Sequence, residues 1–599
     1  MLSVPCVHAY PIGMYLRLTE RRNRDGSSVT YYALAENVWN AQTKRSEAQV
    51  IHSFGRADQL DKAALQRLIS SIQRVIDADA AGAIATSGKT SLPDIEIDAV
   101  FELGIVLAAR TLWEDLGIGA AIRGCITEGE LSAPHEMALF AMAAQRLDEP
   151  GSKRGCAIRW LPHLPFHLLT QAEPWAASPD IAWLPEAQDL TLYQFYRALD
   201  FLAVWSDQIE QAVFLRAADL FRLDVDLIFY DTTTAYFEID EPDQHCELWG
   251  GKLYAPLRRR GHSKEGRDNQ PQVIIALAVT RDGMPVRSWV LPGDTADVTT
   301  VARIKDDLRA WRLGRCVFVS DAGMYSAENL AALSRGLGRY ILAVPMRKVK
   351  DVETEVLSRP GRYKPVADNL LVKEVVVGEG ERRKRYVLCL NPEEADREHT
   401  HREQVLKELS AELNLLRERE ADHPKAACEL LASRRYGRYL TTDYTGRPRL
   451  DAAKVKAAEK FDGKFVVITN DDTLSAEDIA LGYKGGWIIE ACFRRMKQTG
   501  LQVRPMFHWT ARRIEAHVKL CVLALQMQRA AEIRCGLPWP RIAHVVGALK
   551  AVRYQVGGQG IVQRTKVAGE LAELLKKLGI PIPKQLLTVT EAPETPVSA

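Results

Sequence analysis

The chain has 599 residues and few of the features that mark specialised protein classes. Its ten cysteines are scattered without paired CxxC spacing, so reduced and mostly buried thiols are favoured over disulfides or zinc ligands. No apolar run approaches the length that spans a bilayer, and the N-terminus lacks the basic start and apolar core of a signal peptide. We therefore expect a cytoplasmic, multi-domain protein with no membrane association.

Net charge is also nearly absent, at +2, but its distribution along the chain is uneven. Residues 483–566 contain 15 Lys and Arg against 3 Asp and Glu, a net of +12, whereas residues 171–245 contain 3 against 15, a net of −12. This asymmetry indicates a surface that faces a polyanion, and an acidic region that either shields it or contributes to a metal site. Solvated faces of neighbouring domains are the alternative interpretation.

Three acids stand in positions that suit a metal site. Asp231 follows the apolar run LIFY, Asp321 follows CVFVS, and Glu490 lies within the helix-like stretch YKGGWIIEACFRRMK. Tyr483 and Lys497 lie seven residues before and after Glu490, a spacing of two turns that places all three on one helical stripe. Each residue alone has an ordinary explanation, such as a turn aspartate or an exposed helical glutamate. Their joint arrangement favours carboxylates that bind metal beside groups that bind phosphate.

The order of elements predicts the fold class. Strand-like and helix-like segments from residue 225 follow the order βββαβαβ, with an acid after the first and fourth strands. We predict an α/β protein with an RNase-H-like mixed-sheet core, interrupted by an α+β insertion and accompanied by a β-rich N-terminal unit and a helical domain. The expected domains are a β-rich unit with DNA binding as a candidate role (1–90), a helical domain (96–222), the first core part (223–345), an insertion of strands and charged helices (346–460), the second core part with the Glu helix (461–535) and a basic C-terminal region and tail (536–599).

Several segments in the same order resemble a known family. They are YDTTT from Tyr230, GHSKEGRDNQPQ from Gly261, LPGDT from Leu291, SDAGMYSAENL from Ser320 and the long run from Tyr483. Together they resemble the DDE transposases of bacterial insertion sequences, in the group with a YREK signature and an insertion before the catalytic Glu. The resemblance covers roughly residues 227–526.

The resemblance implies roles for individual residues. Asp231, Asp321 and Glu490 would be the catalytic, metal-binding triad, and Tyr483 and Lys497 the flanking signature residues that contact DNA. Gly486 stands where the signature has Arg, so Arg494 or Arg495 would supply the missing charge. Met324 stands where some relatives carry a Trp that stacks on a flipped base during hairpin formation.

Asp294 and Asp297 form a rival acid pair, which we rank as loop acids or as support for the metal ligands.

Other basic residues are candidates for contact with the DNA backbone. The basic candidates lie in the loop after the first core strand and in a later helix: Arg259, Arg260, Lys264, Arg512 and Arg513.

The function implied is a transposase that nicks the ends of its element and joins the 3′-OH to target DNA. Two Mg²⁺ ions per site, with Mn²⁺ as the alternative, would stabilise the attacking and leaving oxygens. The expected partners are the terminal inverted repeats, target DNA and a second copy of the chain in a synaptic homodimer, in the bacterial cytoplasm at the nucleoid. A metal-dependent nuclease without strand transfer and an inactive DNA-binding relic are the alternatives.

Overall fold

The computed structural model describes residues 14–22, 28–40, 45–57, 95–126, 134–164, 190–418, 423–556 and 559–591. The chain divides into two compact units, Met1–Asp94 and Ile95–Ala599. Across these described ranges, no helix combines the length and apolarity needed to cross a membrane.

The first unit contains a three-stranded antiparallel sheet in chain order. Its strands are β1 (Met14–Arg22), β2 (Ser28–Asn40) and β3 (Arg45–Arg56). They form from short runs of alternating apolar and polar residues, the pattern typical of a half-buried strand. The rest of the predicted β-rich unit, residues 58–90, lies outside the described residues.

The second unit begins with a strand, β4 (Ile95–Glu102), where the sequence predicted the start of a helical domain. A layer of helices follows, and two of them are buried along almost their whole length, including charged residues such as Arg110 and Glu136. The longest helix starts at a capping box in which Thr191 and Gln194 satisfy each other's backbone amides. The helices of this layer are α1 (Gly104–Asp115), α2 (Ile118–Arg123), α3 (His135–Asp148) and α4 (Leu192–Phe221).

The centre of the second unit is a nine-stranded mixed sheet. Its first half contains β5 (Leu227–Tyr236), the hairpin β6 (Glu247–Trp249) and β7 (Lys252–Tyr254) beside the sheet, then β8 (Gln272–Thr280), β9 (Pro285–Pro292), α5 (Asp297–Ala310), β10 (Val317–Ser320), α6 (Ala327–Ser334) and β11 (Arg339–Ala343). These core strands lie in the spatial order β9-β8-β5-β10-β11. Pairing is parallel on both sides of β10 and antiparallel for the other pairs of this group.

The segment predicted as an insertion extends this sheet. Its strands β12 (Lys364–Ala367), β13 (Leu370–Val377) and β14 (Lys384–Leu390) join the sheet through β17 (Lys464–Thr469), which pairs with both β14 and β11. The charged helices form a separate apolar cluster around Val405, Leu409 and Leu413 with the hairpin between them. The elements of that part are α7 (Pro392–Glu418), α8 (His423–Ala432), β15 (Leu440–Thr442), β16 (Pro448–Leu450) and α9 (Ala452–Glu459).

The last part of the chain returns to the start of the second unit. Its strands β18 (Lys550–Val556), β19 (Gln559–Arg564) and β20 (Leu586–Glu591) form a four-stranded sheet with β4. The segment predicted as a basic region and tail is therefore structured through residue 591. The helices of the last part are α10 (Ala476–Lys484), α11 (Trp487–Arg494), α12 (Ala511–Cys535), α13 (Trp539–Val546) and α14 (Gly569–Leu578).

Buried ion pairs join the acid-rich segment to the base-rich segment. Lys519 on α12 donates to Glu210 on α4 at 2.6 Å and to the Ser288 carbonyl oxygen on β9 at 2.6 Å. The Lys519 and Glu210 side chains are only 3% and 2% exposed. Since each charge is buried with its partner, this pair fixes the helical layer against the central sheet.

Removal of one partner should therefore destabilise the fold. Lys519→Met is expected to lower the free energy of unfolding by about 3–5 kcal/mol, because Glu210 would remain buried without its cation. Urea unfolding followed by tryptophan fluorescence measures this change.

The matched control is Arg541→Met, which removes a cation from the half-exposed pair with Glu570. Its expected effect is below about 1 kcal/mol, because solvent screens that pair. Equal effects of the two substitutions would contradict the role given to Lys519.

Candidate active site

Asp231 and Asp321 lie level with each other on neighbouring parallel strands. β5 pairs with β10 so that Leu227 is opposite Val317 and Phe229 is opposite Val319. Two residues further along each chain, the same register places Asp231 beside Asp321. Asp231 lies within β5, not at its end as the sequence predicted, and Asp321 follows the last residue of β10, so one parallel pair brings the two carboxylates together.

The residues around Asp231 hold its position. The preceding Tyr230 is buried, with its hydroxyl 2.7 Å from the Thr300 hydroxyl and its ring against Phe318. Asp231 accepts a hydrogen bond from the Thr232 amide at 2.7 Å. Asp321 accepts one from the Gly323 amide at 3.0 Å, at the start of a short helical turn.

Glu490 arrives from a helix that packs against β5. Its helix, α11, follows α10 after a turn at Gly485 and Gly486. A Cβ atom at Gly485 would lie 3.0 Å from the Phe229 ring, so the absence of a side chain there permits the close approach. Glycine at this turn thereby brings Glu490 to the edge that carries the two aspartates.

The stretch predicted as one helix is interrupted, and its stripe is only partly preserved. The turn at Gly485 and Gly486 separates α10 from α11, and a π-helical turn occupies Arg495–Thr499. Tyr483 and Glu490 line the same cavity, whereas Lys497 lies outside its lining. Tyr483 and Glu490 therefore meet at one cavity from two different helices, and the prediction of one continuous helical stripe is wrong.

The three acids line one cavity of about 320 Å³. Tyr483 packs at its side with its ring 5.4 Å from the Phe465 ring. Exposed Lys484 and Trp487 also line it. The cavity thus combines carboxylates, a phenol, a cation and an aromatic surface.

Electrostatic interactions link the acids with one another and with Tyr483. Burial raises the pKa of Asp231 to about 6, with Asp321 adding to the rise and Lys264 opposing it. Burial also raises the pKa of Tyr483 to about 12, and the charges of Asp321, Glu490 and Asp231 contribute in that order. A phenol with that pKa remains protonated at neutral pH and can donate a hydrogen bond.

Lys264 is placed at the acids themselves. Its ammonium lies 3.5 Å from Asp231, 3.1 Å from Asp297 and 2.7 Å from the Thr232 hydroxyl. Burial alone would lower the pKa of Lys264, but the charges of Asp231 and Asp297 outweigh it, so that pKa is raised. Of the rival acids, Asp297 therefore supports Asp231 through Lys264, while Asp294 pairs with Arg259 at 3.3 Å.

The donor set fits a divalent cation in ligand type. Three carboxylates on one cavity offer the hard oxygen ligands that Mg²⁺ and Mn²⁺ prefer. Within the described ranges, however, no three His, Cys, Asp or Glu side chains lie close enough to hold one ion together. The three acids therefore do not form a closed ligand set in this structure.

The structure places the predicted DNA-contacting cations in two groups. Arg494 is exposed, and among the described residues it makes no hydrogen bond or ion pair. The other cations have protein partners: Lys497 with Glu265, Arg495 with Glu532, Arg512 and Arg513 with Asp200, Arg259 with Asp294, and Arg260 with the Asp240 carbonyl oxygen. Most of the predicted DNA-contacting cations are therefore already paired with a carboxylate or a carbonyl oxygen of the protein.

The suggested base-contacting residue is inaccessible, and an aromatic residue was overlooked. Met324 is 0% exposed within the apolar core, so its side chain is not available to contact a flipped base in this structure. Trp487 is 65% exposed at the cavity, one helical turn before Glu490. Its position three residues before the candidate acid was the signal available in the sequence.

Comparisons with known proteins find transposase families along the chain. A family described as "Transposase DDE domain" matches residues 249–527, and a family described as "IS1634 family transposase, N-terminal domain" matches residues 16–82. No curated protein matches the chain. One similar solved structure is the cryo-EM structure of a piggyBac transposase synaptic complex with hairpin DNA, at 8% identity and a TM-score of 0.32, covering 74% of this chain and 79% of that chain.

The raised pKa of Asp231 predicts a pH-dependent stability in the absence of divalent ions. The folded chain binds the Asp231 proton more tightly than the unfolded chain, whose aspartate pKa is about 3.9. The stability from this proton is present below about pH 4 and is lost as pH rises through about 6. Asp231→Asn is therefore expected to unfold at higher urea concentration than wild type at about pH 7.5, by about 2 kcal/mol.

Urea titrations of both proteins in EDTA, from about pH 4 to about pH 7.5, measure the difference. It should shrink on acidification. A difference that is independent of pH would contradict the burial of this carboxylate.

Proposed function

This chain belongs to the DDE transposases of insertion sequences, and from that premise we propose that it nicks the ends of its element and joins each 3′-OH to target DNA. The observation that carries the proposal is the convergence of Asp231, Asp321 and Glu490 on one cavity. The reaction needs no covalent protein–DNA intermediate, which agrees with a cavity lined by carboxylates.

We assign the central sheet to an RNase-H-like core. The order β9-β8-β5-β10-β11 with parallel pairing around β10 supports this assignment. In that frame β5 and β10 supply the two aspartates and α11 supplies the glutamate.

Asp231, Asp321 and Glu490 are the residues that would hold two Mg²⁺ or Mn²⁺ ions, which when bound supply charge stabilisation to the attacking and leaving oxygens. The two aspartates are fixed by strand pairing and by their amide hydrogen bonds, so they enter the reaction preorganised. Glu490 is the exposed member and approaches from a helix.

The remaining groups at the cavity would position the DNA strand. Protonated Tyr483 can donate to a phosphate oxygen, and exposed Lys484 and Arg494 can neutralise neighbouring phosphates. Trp487 offers a face on which an unstacked base can stack.

The partners follow from this chemistry. They are the terminal inverted repeats of the element, target DNA and a second protomer, because joining two ends requires two sites in a synaptic complex. We place the protein at the nucleoid of a bacterial cytoplasm on the same grounds.

Loss of the third acid should abolish the chemistry and preserve DNA binding. Glu490→Gln is expected to reduce strand cleavage by about 10³-fold or more, since a metal site contributes several kcal/mol to the transition state. Labelled duplexes carrying the DNA that flanks the reading frame, incubated with Mg²⁺, report nicked and joined products separately.

Glu477→Gln is the matched control, because Glu477 lies in the preceding helix and outside the cavity lining. It should retain wild-type cleavage. Full activity of Glu490→Gln would refute the triad, and wild-type cleavage without any joined product would favour a nuclease over a transposase.

Trp487 should contribute to binding through its exposed ring. Trp487→Ala is expected to weaken binding of single-stranded DNA by about 5- to 100-fold, the range of one base–aromatic stack. Trp487→Phe should retain most of the affinity because it keeps a stacking face.

Fluorescence anisotropy with a labelled oligonucleotide measures both variants, and a fully paired duplex serves as the comparison. The loss should be smaller for the duplex, whose bases are already stacked. An equal loss for Phe and Ala would exclude stacking as the role.

A further inference from the structure

Two adjacent residues of opposite charge, Lys264 and Glu265, connect one loop to two different parts of the site. Lys264 reaches Asp231 and Asp297, as described above, and its amide donates to the Thr234 hydroxyl at 3.2 Å. Glu265 points its carboxylate to Lys497 at 2.7 Å and also pairs with Arg504. The segment between β7 and β8 is thereby held at both the acids and the signature lysine.

The two cations paired with Glu265 are more buried than those of an ordinary surface ion pair. Lys497 is only 9% exposed, and burial lowers its pKa despite the nearby carboxylate. The Arg504 guanidinium lies 5.0 Å from the centre of the Tyr236 ring. Its Nε is buried, and among the described residues it has no hydrogen-bond partner. Two cations thus converge on a single carboxylate, and one of them keeps a buried donor that has no partner among the described residues.

The surroundings have the character of a nucleic-acid surface. Lys497 and Arg504 line a cavity of about 540 Å³ with Phe507 and Trp509, whose side chains are 73% and 74% exposed. Arg258 lies under Trp509, 5.3 Å from its ring centre. Exposed aromatic faces beside paired cations are the combination with which proteins hold an unpaired strand.

We infer that Lys497 and Arg504 form a binding site for a DNA phosphate, and that the Glu265 carboxylate occupies the anion position of this site until DNA displaces it. The inference rests on the proposed function and deepens it, since it names a phosphodiester as the ligand and Glu265 as its competitor. A carboxylate and a phosphate accept N–H donors at the same short distances, so one can replace the other.

The test is DNA affinity after the competing charge is removed. Glu265→Gln keeps the shape of the side chain and is expected to bind a fluorescein-labelled duplex of arbitrary sequence roughly 3- to 30-fold more tightly than wild type, because no ion pairs must be broken. Glu238→Gln is the matched control: Glu238 is an exposed acid of the same cavity, and the described residues include no cation paired with it.

A double-mutant cycle separates competition from a general charge effect. Lys497→Gln should weaken binding more in the Glu265→Gln background than in wild type, because in wild type it also removes part of the competition. Additive effects, or equal gains from Glu265→Gln and Glu238→Gln, would overturn the inference.

Failure of the proposed function has a different outcome. If wild type and Glu265→Gln neither bind duplex DNA nor cleave the flanking DNA with Mg²⁺, both proposals fall. If wild type binds and cleaves while Glu265→Gln gains no affinity over its control, only the phosphate site falls.

Discussion

The parallel pairing of β5 with β10 is the constraint on which the site depends. It sets Asp231 and Asp321 level, so the two carboxylates repel each other across one sheet edge. Burial and that repulsion raise the pKa of Asp231. The ammonium of Lys264 lies beside Asp231 and offsets part of the repulsion without separating the two acids. Two neighbouring carboxylates of this kind are stabilised by positive charge, and divalent ions would supply more of it than one lysine does.

The helix that carries Glu490 depends on a second, steric constraint. Gly485 touches the Phe229 ring so closely that a side chain would force the helix away from β5. Gly486, which stands where the signature has Arg, does not approach Phe229 as closely, because a Cβ there would lie 3.9 Å from that ring. The exposed cations nearest in sequence are Lys484, the last residue of α10, and Arg494, the last residue of α11.

The sequence predicted those features of the fold that depend on local residue patterns. Apolar runs followed by Asp located two strands, although Asp231 lies within β5 and only Asp321 follows a strand end, and the order of elements located the central sheet. It could not predict pairings made across long separations, such as Arg513 with Asp200 or Lys497 with Glu265, which lie 313 and 232 residues apart. The burial of Met324 could not be predicted for a related reason, since it depends on packing against the core and not on its neighbours in sequence.

These pairings also change the meaning of the charge asymmetry. A net of +12 in residues 483–566 suggested an open basic surface, yet Arg512, Arg513 and Lys519 are neutralised by acids of the segment with −12. Three cations of the base-rich segment are thus paired with two acids of the acid-rich segment inside the fold. The net charge of a segment therefore overstates its attraction for a polyanion, because part of that charge is already neutralised within the protein.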